Sequence, residues 1–260
     1  MQLPLYQIDA FASQVFRGNP AAVCPLESWL EDDVMQSIAA ENQLSETAFF
    51  VREGDAFRLR WFTPTDEVDL CGHATLASAF VLFEELGYEE HELRFDTLSG
   101  RLNVTRDGGR LVLDFPVRRA AKVDAAPELV TALGDPRPLE VYEGPYWLVV
   151  YEDEAAVRAL APDFGALASF EPVIATAAGA SDGVDFVSRF FAPNCGVDED
   201  PVTGSAHCTS TPYWSERLGK PQLVAQQISA RGGELHCELR GDRVAIAGNA
   251  VLYLRGTITI

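Results

Sequence analysis

One phrase, used twice, constrains this chain more than any other feature. Phe62-Thr63-Pro64 leads through Asp69-Leu70-Cys71-Gly72-His73-Ala74 into the apolar run Ala74–Phe83, which only Thr75 and Ser78 interrupt. Half a chain later, Phe191-Ala192-Pro193 leads through Asp200-Pro201-Val202-Thr203-Gly204-Ser205-Ala206 into a second, less regular segment that runs to Leu218. Phe57, Arg60 and Pro64 keep the spacing of Phe186, Arg189 and Pro193, and Gly72 and Gly87 keep that of Gly204 and Gly219. A unit this long is no solenoid repeat, so the pattern predicts two duplicated domains. Each carries a central helix read as buried, the first because it is apolar on nearly every face. Gly87 is placed as the left-handed residue that ends the first helix. A buried helix opening at a glycine offers free N–H groups and a positive dipole end, a seat for an anion. Two such N-termini meeting one ligand in a cleft between the halves is the expectation.

The first half reads as strands at Leu5–Phe11, Ala21–Cys24, Leu44–Val51 and Ala56–Phe62, with a helix to about Gln43. Ser28 and Glu31 match a capping box for that helix. Strands at 93–95, 101–105 and 110–115 follow, and Pro116–Ala126 is the expected crossover. The second half repeats the theme, with Pro212 expected to kink or restart its central helix. Strands outnumber helices without alternating with them, which predicts an α+β class. The expected domains are 1–118 and 119–260, with the C-terminal strand, about 251–260, free to join the first.

A net charge of −19 with only two lysines, Lys122 and Lys220, argues against nucleic acid, which needs clustered cations. No apolar run is long enough to span a bilayer and no secretory leader is evident, so no membrane partner is expected. The five cysteines are odd in number and lack a C-x-x-C, a pattern of a reducing compartment; the reading is a soluble cytoplasmic protein. Cys195, His207, Cys208, His236 and Cys237 invite a zinc reading, but their spacing fits no ligand set, and no metal is expected.

Gly18-Asn19-Pro20, Leu44-Ser45-Glu46-Thr47-Ala48-Phe49, Asp69–Thr75 and Asp200–His207, in that order, resemble the phenazine-biosynthesis PhzF-like family, and the match covers the whole chain. The resemblance implies the diaminopimelate-epimerase-like fold: two pseudo-symmetric domains, each a mixed β-barrel round a central helix, with the active site between them. It also implies a homodimer, no cofactor, and an isomerase of a small carboxylate-bearing metabolite. The family's best-known reaction moves a proton between ring carbons of a dihydro-hydroxyanthranilate. On the matching positions, Glu46 is the acid/base, while Gly72, His73, Asp200, Gly204 and Ser205 hold the substrate; Asn19 is a further candidate for orienting it.

From the residues alone, Glu46 begins a strand beside apolar positions, where an unpaired carboxylate is costly; the bland alternative is a carboxylate paired with an arginine. His73 alone reads as a satisfied core histidine, and Asp200 as part of a solvated acidic loop. Cys71 keeps the first thiol of the two-base epimerases of this fold, but Thr203 stands where the second belongs, and a hydroxyl cannot replace a thiolate. The rivals are therefore a racemase or epimerase using Glu46 with Cys71 as accessory, and a binding or scaffold protein of the same fold.

Overall fold

Burial along Gln2–Ala10 (β1) deepens toward its end, where Ile8, Asp9 and Ala10 are buried on both faces of the strand. The computed structural model describes all residues, Met1–Ile260, and divides them into two compact units, Met1–Asp114 with Ala247–Ile260, and Phe115–Ile246.

In the first unit β1 pairs antiparallel with β2 (Asn19–Leu26), and β2 runs parallel to β3 (Glu46–Glu53), placing Ala21 opposite Glu46. β3 pairs antiparallel with β4 (Ala56–Phe62), which turns into the short β5 (Glu67–Val68). A meander of β6 (Glu92–Thr97), β7 (Gly100–Asp107) and β8 (Arg110–Pro116) follows, β6 lying parallel to β4. The C-terminal strand, Ala250–Thr259, runs antiparallel along β1 from Gln2 to Ala10.

Helix α1 (Asp32–Asn42) starts later than the Ser28 capping box predicts: its N-cap is Glu31, with no side-chain cap. Trp29 and Leu30 instead pack on the cluster of Cys24, Met35 and Phe49, and the helix begins once they are placed, with Asp32 and Asp33 favouring its positive end. Helix α2 (Gly72–Phe80) is buried at every residue from His73 to Ala79. Its two hydroxyls satisfy themselves on the preceding turn: Thr75 Oγ1 donates to the Cys71 carbonyl at 2.5 Å and Ser78 Oγ to that of Ala74 at 2.7 Å. A wide turn, Val81–Glu85, extends it, and Gly87 follows with φ +67°.

The second unit holds β9 (Ala121–Val123), within the expected crossover Pro116–Ala126, and then α3 (Pro127–Leu133); a proline at the first turn is compatible with a helix start. β10 (Glu140–Glu143) pairs with β9 and β11 (Trp147–Val150), and the short helices α4 (Glu154–Ala159) and α5 (Phe164–Leu167) precede β12 (Val173–Ala178). β11 is parallel to β12, and β12 antiparallel to β13 (Phe186–Ala192), which pairs with β14 (Val197–Asp200). α6 (Gly204–Leu218), β15 (Gln222–Gln227), β16 (Gly233–Arg240) and β17 (Arg243–Gly248) complete it, β15 lying parallel to β13.

α6 does not restart at Pro212. A proline there frees the carbonyl four residues back, that of Cys208, and the Arg118 backbone N–H takes it at 3.0 Å. The orphan acceptor is satisfied from outside the helix, so one helix runs through. Parallel and antiparallel pairs mix and helices are few: the fold is a mixed α and β fold built on extensive sheet. No helix is long and apolar enough to cross a membrane.

Candidate active site

Both repeated loops are braced in the same way. Arg60 on β4 grips Glu67 on β5 with two hydrogen bonds of 2.7 Å, and Arg189 on β13 grips Glu199 on β14 with two of 2.8 Å. Such fork-to-fork pairs fix direction as well as distance. Each closes the hairpin from which the chain enters its buried helix.

In the first unit, four of the predicted residues converge. Asn19 opens β2 directly after Gly18, which has φ +68° and where a Cβ would collide with the Ala10 carbonyl oxygen, so the chain passes at a point only glycine allows. That places Asn19 at 0% exposure. Glu46 stands at the first position of β3, carried beside β2 by the parallel register, with its side chain 18% exposed. Cys71 is the N-cap of α2 and His73 its second residue.

The imidazole of His73 sits among the other three. Its Nε2 lies 3.0 Å from Glu46 Oε2, while its Nδ1 lies 3.2 Å from Asn19 Nδ2 and 3.5 Å from Cys71 Sγ. The Nε2–Oε2 contact is at ion-pair distance, yet neither atom has an aligned hydrogen bond although both are buried. Gly72 stays partly exposed at the head of the helix, where the first N–H groups have no partner within the helix.

Burial disfavours the imidazolium, but the Cys71 sulfur and the Glu46 carboxylate favour it and prevail, so the pKa of His73 stands well above the ordinary 6.5. Burial, and then Glu46, push the Cys71 thiol up to about 11. At neutral pH the thiol therefore keeps its proton, which leaves Glu46 as the carboxylate that faces the ring.

Glu46, Cys71 and His73 each offer a donor atom within 4.8 Å of the others. The carboxylate approaches Nε2 and the thiol approaches Nδ1. A metal ion binds one nitrogen of a ring, so these donors address opposite edges instead of one point. The geometry suits proton handling better than a cation.

In the second unit, Asp200, Gly204 and Ser205 gather at the head of α6. Thr203 Oγ1 donates a short hydrogen bond to Asp200 Oδ2. The amide of Gln227, fully buried, holds both: its Oε1 accepts from Thr203 N–H at 2.8 Å, and its Nε2 donates to the Asp200 carbonyl at 2.7 Å and to Thr203 Oγ1 at 3.2 Å. Ser205 Oγ lies 3.1 Å from Tyr146 Oη, whose ring packs edge-on to Phe190 under the Arg118 guanidinium. Gln227 and Tyr146 escaped the sequence reading. Gln227 left one signal: it continues the inward series Leu223, Ala225 on β15, where an amide must find partners.

His207 lies one turn into α6, with Nδ1 2.8 Å from the Thr203 carbonyl oxygen, and burial lowers its pKa to about 4. The other zinc candidates go separate ways: His236 pairs with Glu234 at 3.0 Å on the surface, Cys195 is exposed, and Cys208 and Cys237 are buried. A cavity of about 400 Å³ in this unit is lined by Thr209, Pro212, Tyr213 and Arg217, among others, and by none of the predicted site residues.

Known proteins match the chain along its length. A Pseudomonas aeruginosa protein named as an uncharacterized isomerase is 57% identical, covering 100% of both chains. The crystal structure of a PhzF-family phenazine biosynthesis protein from Enterococcus faecalis superimposes with a TM-score of 0.96 at 49% identity, again over 100% of each. A hydroxyproline epimerase from Agrobacterium vitis, with bound trans-4-hydroxy-L-proline, shares the fold at a TM-score of 0.60 and 11% identity, covering 99% of this chain and 92% of its own. The phenazine biosynthesis-like protein family, PhzC-PhzF, matches residues 8–256, and the chain belongs to that family.

Proposed function

We propose that the protein is a cofactor-independent isomerase that moves a proton between carbons of a small carboxylate-bearing metabolite. The observation that carries this is the contact between Glu46 and His73: a carboxylate and an imidazole 3.0 Å apart, both sheltered and neither aligned on the other, beside the open first turn of α2. Glu46, as the carboxylate, removes a proton from a carbon next to an electron-withdrawing group. The electron pair left behind spreads into that group, and the α2 N-terminus and the cationic His73 stabilise the negative charge. Glu46 then returns the proton to another carbon of the same molecule, restoring its own charge. Asp200, Gly204 and Ser205 are proposed as further substrate contacts. We read the two units as duplicates, each a sheet wrapped round its buried helix; the two bidentate Arg–Glu braces at matching places of the repeat support this. Homodimerisation belongs to the same reading.

Epimerisation by Glu46 with Cys71 is the second reading, favoured by the place of the thiol at the N-cap of α2. Against it, the thiol is held protonated, and Thr203, which stands where a second thiol would, is engaged with Asp200. A binding protein without turnover is the third.

Turnover assays on a panel of small carboxylates that includes a dihydro-hydroxyanthranilate test the proposal. Glu46→Gln is expected to bind the substrate found with near-wild-type affinity and to lose about 10²- to 10⁴-fold in kcat. Full kcat in that variant would overturn the assignment, and binding without turnover by the wild type would favour the binding protein.

A further inference from the structure

Three elements meet the His73 ring: β3 brings Glu46 to Nε2, while β2 and the N-cap of α2 bring Asn19 and Cys71 to Nδ1. An imidazole nitrogen that receives an amide N–H must present its lone pair, so in the neutral ring Nδ1 is bare and the proton sits on Nε2, the edge nearest Glu46. When both nitrogens are protonated, Nδ1 becomes a donor, and the Asn19 NH₂ would face another N–H. Protonating Nδ1 therefore costs the contact with Asn19.

We propose that Asn19 is a positioning residue that acts through His73: its amide donates to Nδ1 and fixes the neutral ring with its proton toward Glu46. Asn19 has no solvent exposure, so it works from behind the imidazole. Three other ionisable groups on elements packed against α2 are accounted for without the ring. Asp9 of β1 accepts the Phe16 N–H at 2.8 Å, Cys24 of β2 is a thiol that burial pushes up to about 12, and Arg255 of the C-terminal strand pairs with Glu85. Glu46 and Cys71 are the groups that act on the ring.

The consequence for turnover rests on the isomerase reading above, but the tautomer is measured without substrate, so the two can fail separately. Four histidines make a ¹⁵N-histidine-labelled sample readable, with His73 assigned by its loss in His73→Gln. Long-range ¹H–¹⁵N correlation above the titration of the ring is expected to show bare Nδ1 and protonated Nε2. Asn19→Asp, of the same shape but accepting only, is expected to make His73 titrate about one pH unit or more higher. Asn19→Leu, which offers neither group, is expected to weaken the tautomer preference, with Glu46 still at Nε2. Nδ1–H as the neutral wild-type form, or a ring whose tautomer and titration are unmoved in Asn19→Asp, would overturn the proposal.

Discussion

His73 Nε2 and Glu46 Oε2 face each other across 3.0 Å, buried, without an aligned hydrogen bond. A buried polar atom left without a partner costs about 1–3 kcal/mol, so folding alone gives little reason to keep two of them together. An arrangement of this kind is completed by a third body, and a substrate with a transferable proton fits between a carboxylate and a cationic ring. The Cys71 sulfur and the Glu46 carboxylate also favour the charged form of the ring.

That coupling predicts a pH dependence on the alkaline side. The pKa of His73 is raised in the folded protein, so its stabilising contribution is complete below the ordinary value of 6.5 and is lost as pH rises through the higher folded value. Denaturation midpoints measured from pH 6 upward should fall for the wild type and fall less for His73→Gln. Equal slopes would show that the ring carries no such charge.

His207 predicts the opposite trend in acid. Its folded pKa, lowered to about 4, means that its contribution is complete above 6.5 and lost as pH falls toward 4. The window corresponds to about 3 kcal/mol. Denaturation at pH 7 and at pH 4.5 should show a loss of that order in the wild type and a smaller one in His207→Gln.

Gln227 should behave as a support of the second cluster. Gln227→Leu removes the three hydrogen bonds that hold Asp200 and Thr203, and is expected to cost about 2–4 kcal/mol of stability. If Asp200 contacts substrate as proposed, KM should rise more than kcat falls. An unchanged KM would separate the loop from substrate binding.

The thiols make a simpler prediction. Cys195 alone is exposed, and burial holds Cys24, Cys71 and Cys237 far from ionisation. Iodoacetamide at pH 7.5, followed by intact-mass measurement, should add one label to the native protein, at Cys195. Rapid labelling of Cys71 would revive the thiol-based reading.

The parts legible in the sequence are those written in a local pattern. β4 declares itself by alternation, β3 by its run of β-forming residues, and α2 by an apolar run between Gly72 and Gly87. The family could be read from four motifs in order. The start of α1 was misplaced because the packing of Trp29 and Leu30, not the Ser28 cap, decides where that helix can begin. A restart at Pro212 is absent for a related reason: its cost depends on whether the Cys208 carbonyl finds another donor, and Arg118, far away in sequence, supplies it. The meeting of Asn19 with His73 depends on how β2 lies against α2, and the use of Gln227 on the register of β15. Neither is a property of any short stretch of chain.

Solvent deuterium incorporation tests the central claim most directly. Wild-type protein and Glu46→Gln are incubated in heavy water with the carboxylate panel, with product followed alongside by mass spectrometry. One deuterium on carbon in the wild-type product, absent with Glu46→Gln although the ligand still binds, is the predicted result. Carbon labelling that persists in Glu46→Gln and disappears in Cys71→Ala would contradict it and place the proton transfer on the thiol.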